Sequence, residues 1–315
     1  MEKGPRFIGG KYSPETLKDV NAVMAEWSNE ALVPIEGERE KALEEAHMIK
    51  TANELIRREL MSLGIAGYKS IEPARVHVLD ADTFEKNDLV LEESLGGHSA
   101  VSNNILINRS DAKNKAELFA HIMHEMLHYA AMQRFHIQES GEVESARSGY
   151  RLNSSWLGRE AFRGFNEIMV ENTVMKILSK HQSRLSKEFG ITEQEIIDPS
   201  IYGYLQYHNL LATITEGIAH AKSMPEPDVF KRLERGQFEG TILAIKDIAR
   251  VFGKEALRVL SCLGVLHNTE HRDEMDRMVI QYFATTDDQE KILIAQTIQG
   301  TFGKYRLEES EQQEG

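Results

Sequence analysis

The sequence contains a single cysteine, Cys262, among 315 residues. A disulfide needs two cysteines, so a fold held together by intrachain disulfides is excluded. Cys262 lies in the apolar run ALRVLSCL, which predicts a small core residue rather than a reactive thiol. One cysteine in a chain of this length fits a reducing compartment.

Long apolar runs are also missing. No stretch approaches the roughly 20 apolar residues of a membrane-spanning helix, and the start, MEKGPRFIGGKYSPET, has no apolar signal segment. We therefore expect a cytoplasmic protein without a membrane partner. Basic residues are fewer than acidic ones: the sequence has 37 Lys and Arg and 50 Asp and Glu, which gives a net charge of −13. This balance argues against nucleic acid as the main partner.

One histidine-rich run stands out against this background. Residues 121–130 read HIMHEMLHYA, in which His124, Glu125 and His128 form the pattern H-E-x-x-H. Residues four apart share a helix face, so the two imidazoles can bind one ion. Two imidazoles suit zinc, and Glu125 beside a zinc-bound water suits general base catalysis. The alternative is a helix with surface histidines or with core histidines whose ring nitrogens are satisfied.

The surroundings favour a buried helix. The segment Asn114–Glu117 fits a capping box, and neither proline nor glycine occurs between Asp111 and Arg134. Many apolar residues follow the cap, so most of the helix should be buried. A buried face of two histidines and a glutamate needs a partner to satisfy it. The sequence therefore predicts a site for one zinc ion.

A third ligand is available downstream, where residues 164–173 read GFNEIMVENT. Glu167 and Glu171 are four apart and so share a helix face. Catalytic zinc commonly takes two His and one Glu and leaves the fourth position for water. We expect Glu167 to be that ligand and Glu171 to orient a ligand histidine through its other N–H. The alternative is the acidic face of a core helix.

The combination of HEMLH with a downstream NE-x-x-x-E resembles the gluzincins, the thermolysin-like zinc metallopeptidases. The resemblance covers roughly residues 74–180, and the segment between the two motifs is longer than in thermolysin. The resemblance implies that His124, His128 and Glu167 bind the zinc ion and that Glu125 is the general base. It implies that Glu171, behind the ligands, is the hydrogen-bond partner of His124. Asn166 matches the residue that precedes the third ligand in the family.

The resemblance also implies an edge strand beside the zinc, on which an extended substrate adds as another strand. Residues 75–80 and 96–108 have strand patterns, and 96–108 is the candidate edge strand. Residues 134–152 predict a hairpin around Ser140-Gly141.

The gluzincin transition-state donor, a His or Tyr from the C-terminal subdomain, has no matching motif here. Its candidates are Tyr204, Tyr207 and His208, with Tyr202 and His220 close by, and ordinary packing is the alternative for each. The extended H-x-x-G-x-x-H form fails because Ala131 and Arg134 replace its Gly and His. The G-x-M-E-N signature of aminopeptidases is missing too, so endo- and exopeptidase remain open.

We expect an α+β fold, namely a zincin-like catalytic module with a small mixed or antiparallel sheet, followed by an all-α C-terminal subdomain. The predicted division is an N-terminal helical segment (residues 1–66), the catalytic module (67–184), the all-α subdomain (185–305) and an acidic, disordered tail (306–315).

The expected function is a zinc-dependent metallopeptidase that hydrolyses peptides or protein segments. The first alternative is an inactive or regulatory zinc-binding protein on the same scaffold. The second is a helical interaction protein in which H-E-x-x-H is accidental. The sequence does not indicate an oligomeric state.

Overall fold

The computed structural model describes six segments of the chain: residues 7–8, 12–86, 96–99, 104–138, 143–154 and 159–314. Helices and small sheets are both present, so the predicted α+β class is confirmed. The chain forms two compact units, the first from Met1–Ser148 and Val170–Gly203, the second from Gly149–Met169 and Tyr204–Gly315. The predicted functional division into four segments stays a prediction.

The first unit is mainly helical. Its helices are α1 (Pro14–Glu30), α2 (Leu43–Ser62), α3 (Ala81–Lys86), α4 (Lys115–Ala130), the later part of α5 (Arg163–Phe189) and α6 (Glu193–Ile197). The Ser13 side chain caps α1 by accepting the N–H of Thr16 at 3.0 Å, and Pro14 is tolerated in the first turn. Apolar positions of α2 at helical spacing, among them Ile49, Ala52 and Ile56, are fully buried.

A three-stranded sheet in this unit contains β2 (Val76–Leu79), β3 (Gly96–Ser99) and β4 (Asn104–Asn108) in the order β2-β4-β3. Strand β4 is parallel to β2 and antiparallel to β3. The expectation of a single strand over 96–108 was therefore wrong, because this stretch forms two strands that run in opposite directions. Its Gly, Ser and Asn residues favour a reversal of the chain, although residues 100–103 lie outside the described part.

The other strands of the first unit are β1 (Phe7–Ile8), β5 (Gln133–Ile137) and β6 (Val143–Ser148). Strand β5 is parallel to β1 and antiparallel to β6. The strands of the predicted hairpin are thus confirmed, while its expected turn at Ser140-Gly141 lies outside the described residues. Because β5 begins shortly after α4 ends, the C-terminal end of the histidine helix leads directly into this sheet.

The second unit contains the antiparallel strands β7 (Arg151–Ser154) and β8 (Arg159–Ala161) and the first turns of α5. Its further helices are α7 (His208–Lys222), α8 (Glu226–Glu239), α9 (Leu243–Phe252), α10 (Ala256–Leu260), α11 (Thr269–Ala284) and α12 (Asp288–Glu314). The core side chains come from most of these helices and include Ile214, Leu233, Ile248, Leu260 and Met275.

Two helix boundaries differ from the sequence prediction. Asp198-Pro199-Ser200 in the sequence predicts the start of a helix that runs to about Ser223, but α7 begins only at His208, after two short 3-10 turns. The tail expected to be disordered continues α12 as far as Glu314. Residues 304–314 contain neither glycine nor proline and are rich in Glu and Gln, which favour helix. None of the described helices is long and apolar enough to span a membrane.

Candidate metal centre

The start of α4 is fixed by side-chain caps. Asn114 accepts the N–H of Glu117 at 2.9 Å, as the predicted capping box requires. In a capping box the Glu117 carboxylate would also accept the backbone N–H of Asn114. Here it accepts the N–H of Lys113 instead, at 2.6 Å. The Asn114 bond satisfies an N–H group that a helix start leaves without an intrahelical partner, and the Glu117 bond ties the preceding residue to the first turn. The helix that carries the predicted ligands therefore begins at a defined residue.

The two histidines of α4 face each other. Their Nε2 atoms are 3.0 Å apart, and their ring centroids are separated by 4.8 Å with the planes at 63°. A tetrahedral zinc ion with bonds of about 2.05 Å would hold two ligand nitrogens about 3.3 Å apart. The observed separation between His124 and His128 is close to that value, so the pair fits a zinc ion. Glu125, next to His124, is only 8 % exposed.

The first turn of α5 is held by the turn at residues 261–264 of the same unit. The N–H of Phe162 donates to the carbonyl of Ser261 at 3.1 Å, and that of Gly164 donates to Leu263 at 2.9 Å. A Cβ on Gly164 would lie 2.8 Å from Leu263 Cγ and 3.0 Å from the Leu263 carbonyl oxygen. This close approach requires glycine and fixes the helix end that carries Glu167.

Asn166 provides a further anchor for this helix end. It is fully buried, and its Oδ1 accepts the N–H of Tyr150 at 2.8 Å. The Tyr150 hydroxyl in turn donates to the carbonyl of Leu233 on α8 at 2.7 Å. The contact of Asn166 with Tyr150 gives the residue a structural role, whereas the predicted role beside the third ligand stays a prediction.

Three predicted ligands come together. His124, His128 and Glu167 each offer one ligand atom, and these atoms lie within 4.8 Å of one another. Among the described residues this is the only such group of three or more His, Cys, Asp or Glu side chains. Two nitrogens and a carboxylate oxygen are a donor set typical of catalytic zinc.

Glu171 lies one turn after Glu167 on α5 and is almost fully buried. The pKa of Tyr202 is raised mainly by burial and to a smaller extent by the charge of Glu171. The Tyr202 hydroxyl itself donates to the carbonyl of Ile196 at 2.8 Å. These facts place Glu171 in a buried polar environment, which suits a carboxylate that orients another group. Its expected partnership with His124 stays a prediction.

Two histidines that the sequence reading did not single out lie beside the ligand pair. Burial, and then the charge of His128, lowers the pKa of His98 to about 3. Burial is the main cause that lowers the pKa of His121 to about 3, and the charges of His124 and Lys113 are smaller causes. The position of His121 one turn before His124 was a usable sequence signal. His98 gave no such signal, because its nearness to α4 depends on how β3 packs.

The candidates for a transition-state donor lie in the second unit, apart from Tyr202. The hydroxyl of Tyr207 donates to the buried carboxylate of Asp276, and the Tyr204 ring stacks on Tyr207 with the centroids 6.1 Å apart. The Nε2 of His208 is buried without a hydrogen-bond partner. The Tyr207 hydroxyl is thus used within the unit, and the donor role expected of Tyr204 or His208 stays a prediction. His220 is exposed on α7.

Comparisons of the chain with protein-family models, curated protein sequences and solved structures gave no significant match.

Proposed function

We propose that this protein is a zinc-dependent metallopeptidase. The observation that carries the proposal is the convergence of His124, His128 and Glu167, whose ligand atoms lie within 4.8 Å of one another. Glu125 follows His124 directly on α4, so a buried carboxylate is next to the ligand set. Three protein ligands leave a fourth position for water, which is the arrangement of catalytic zinc sites.

When bound, a zinc ion would polarise the carbonyl group of the substrate and lower the pKa of a bound water to about 7. His124, His128 and Glu167 would hold this ion. As general base, the Glu125 carboxylate would take a proton from the attacking water and would pass it to the amide nitrogen as the carbon–nitrogen bond breaks. The products would be a carboxylic acid and an amine, which ionise to a carboxylate and an ammonium ion. Because Glu125 is largely shielded from solvent, its charge acts through a medium that screens it weakly.

The main alternative is a zinc-binding protein without catalysis. Structural zinc sites usually have four protein ligands, often cysteines, whereas the group found here contains two histidines and one glutamate. A structural site also has no use for a carboxylate at the position of Glu125. The ligand set and Glu125 together therefore favour hydrolysis.

The test compares the wild-type protein with Glu125→Gln, which keeps the size of the side chain but cannot accept the proton. Zinc content is measured by mass spectrometry, and cleavage is measured on a mixed peptide library with and without a chelator. We expect both proteins to hold one zinc ion, and the variant to cleave about 100-fold or more slowly. Glu216→Gln, at an exposed glutamate of α7, is the matched control and should cleave normally.

Each other outcome has a definite meaning. Wild-type cleavage by Glu125→Gln would show that Glu125 is not the base. A wild-type protein that holds zinc but cleaves no peptide would favour the zinc-binding alternative. A wild-type protein without zinc affinity would make the H-E-x-x-H pattern accidental.

A further inference from the structure

The last turn of α4 carries the ligand His128, and a helix leaves the carbonyl groups of its last turn without the N–H partners of its interior. The helix ends at Ala130. The next N–H, that of Ala131, is shared between the carbonyl of Leu127 at 2.9 Å and that of His128 at 3.2 Å. His128 thus receives the longer bond of a shared pair. Because helix ends fray, a ligand in this turn depends on a further contact to keep its position.

Gln133, the first residue of β5, supplies this contact. Its Nε2 donates one hydrogen bond to the carbonyl of His128 at 3.0 Å and another to the hydroxyl of Ser148 at 3.0 Å. A side-chain amide nitrogen carries two hydrogens, so both are used and the orientation of the amide is fixed. Ser148 ends β6. One side chain therefore links the turn that carries a metal ligand to the neighbouring sheet.

An irregularity in the pairing of β5 with β6 brings these two side chains together. Gln133 is directly opposite Ser148, but Phe135 is opposite Ser145, so the register shifts between them by one residue. The register from Phe135 onward, continued unchanged, would put Arg147 opposite Gln133. Bulges of this kind re-aim side chains and are frequent next to active sites. The shift therefore gives the Gln133 amide a hydroxyl as its cross-strand partner.

The oxygen of the same amide makes no comparable contact. Gln133 Oε1 is buried and has no hydrogen-bond partner among the described residues. A buried oxygen in this state is unfavourable, so it offsets part of what the two Nε2 bonds contribute to folding. A methionine of similar length would bury no such oxygen. Position 133 therefore allows a test that separates an effect on the metal ligand from an effect on the fold.

We propose that Gln133 is a positioning residue of the metal centre, which holds the ligand His128 in place by linking the last turn of α4 to β6 through Ser148. This inference rests on the zinc site of the proposed function. With both bonds present, the His128 ring is held where its Nε2 lies 3.0 Å from that of His124. A zinc ion then binds without having to order the end of the helix. Without the bonds, that ordering opposes zinc binding.

The test measures zinc affinity by competition with a chromophoric chelator for wild type, Gln133→Met and Ser148→Ala. We expect Gln133→Met, which lacks the N–H donors, to bind zinc about 10-fold more weakly, as when residues that orient metal ligands are lost. Ser148→Ala should show a smaller loss, and Ser148→Thr, which keeps the hydroxyl, should bind like wild type. Because both residues act through one chain of hydrogen bonds, the double variant should bind no more weakly than Gln133→Met.

Two measurements on the metal-free protein separate positioning from general stability. Gln133→Met should keep the urea midpoint of wild type, whereas the N–H of Ala131 should exchange its hydrogen faster, because the last turn of α4 opens more often. The matched control is Gln138→Met, at another half-buried glutamine, whose Nε2 lies 3.3 Å from Glu144. This control should match wild type in zinc affinity and in hydrogen exchange at Ala131.

Equal zinc affinity of wild type and Gln133→Met would overturn the positioning role and leave the peptidase proposal intact. Weaker zinc binding together with a lower urea midpoint would also overturn it, because Gln133 would then act on the fold as a whole. The expected losses of affinity, in a wild-type protein that cleaves no peptide, would refute the peptidase function alone. A wild-type protein without zinc affinity would refute both proposals.

Discussion

Glu38 is a buried carboxylate whose negative charge is matched by three donors. It accepts hydrogen bonds from His77 Nδ1 at 2.7 Å, from the N–H of Ile35 at 3.0 Å and from Lys41 Nζ at 3.0 Å. The other nitrogen of His77 lies 3.1 Å from the carbonyl oxygen of Ala31. Both ring nitrogens of His77 therefore face oxygen atoms. Glu38 and His77 form a buried pair in the first unit, and Lys41 is a further donor to the Glu38 carboxylate.

The pH dependence of stability should reflect this pair. Burial alone would raise the pKa of Glu38, but the hydrogen bonds from His77, Ile35 and Lys41 outweigh it and lower that pKa to about 2. A lowered pKa contributes stability that is present above about pH 4.5 and is lost as the pH falls through 2. Glu38→Gln should be less stable than wild type at pH 7 by up to about 3 kcal/mol.

Urea unfolding of both proteins at pH 7, 4 and 3 measures this difference. The free energies of unfolding should converge as the pH falls, because wild type loses the contribution that the variant lacks throughout. A difference that stays constant from pH 7 to 3 would show that the Glu38 charge does not stabilise the fold. Glu40→Gln, at an exposed neighbour, is the control and should match wild type at every pH.

At the scale of elements, the start of α5 depends on two glycines that touch. Gly264 has a positive φ of +65°, and a Cβ there would lie 2.9 Å from the Cα of Gly164. The residue before α5 is also unusual, because Phe162 has a φ of +62°, which is uncommon for a large side chain. The backbone hydrogen bonds to Ser261 and Leu263 hold this conformation in place.

Gly164→Ala should therefore destabilise the protein by about 1–3 kcal/mol, because the new methyl group meets the Leu263 backbone. Zinc affinity should fall as well, since Glu167 lies one turn further along the displaced helix. Thermal unfolding and zinc titration measure the two effects. The control is Gly300→Ala on α12, where a Cβ meets nothing within 4 Å. That substitution should leave zinc binding unchanged and stability equal or slightly higher. Normal stability of Gly164→Ala would contradict the importance of this contact.

Features that depend on neighbouring residues could be predicted from the sequence. Helix α4 follows from its apolar spacing and from Asn114, and the shared faces of His124 with His128 and of Glu167 with Glu171 follow from helix geometry. The donor types then suggested that the two pairs meet at one ion, and the structure brings three of these side chains together.

Features that depend on contacts between distant segments could not be predicted. The split of 96–108 into two strands and the approach of His98 to Tyr129 are set by packing that no local pattern encodes. Tyr207 illustrates the same limit, since its partner Asp276 is far along the chain. Local propensity also did not predict that α7 begins as late as His208, because a proline and a serine at 199–200 can begin a 3-10 turn as readily as an α-helix.

At the scale of the whole molecule, the proposed zinc ion would link α4 to α5. A ligand that binds only the folded chain stabilises it by mass action, by about 2.7 kcal/mol at a free concentration 100 times its Kd. Zinc removal by a chelator should therefore lower the unfolding temperature by several degrees, and added zinc should restore it.

Calorimetric scans with chelator, and after zinc is added back, measure this shift. His128→Ala removes one of the three ligands, so its unfolding temperature should not respond to zinc. His220→Ala, at an exposed histidine of α7, should respond like wild type. An equal response of His128→Ala and wild type would mean that zinc binds elsewhere on the chain.

The turn that holds the start of α5 contains the only thiol of the protein. Cys262 is 5 % exposed and lies between Ser261 and Leu263, whose carbonyls bind the N–H groups of Phe162 and Gly164. An alkylating reagent can reach this sulfur only while the turn is transiently open. Because the sequence has no second cysteine to react, the alkylation rate of the native protein measures how often the turn around Cys262 opens.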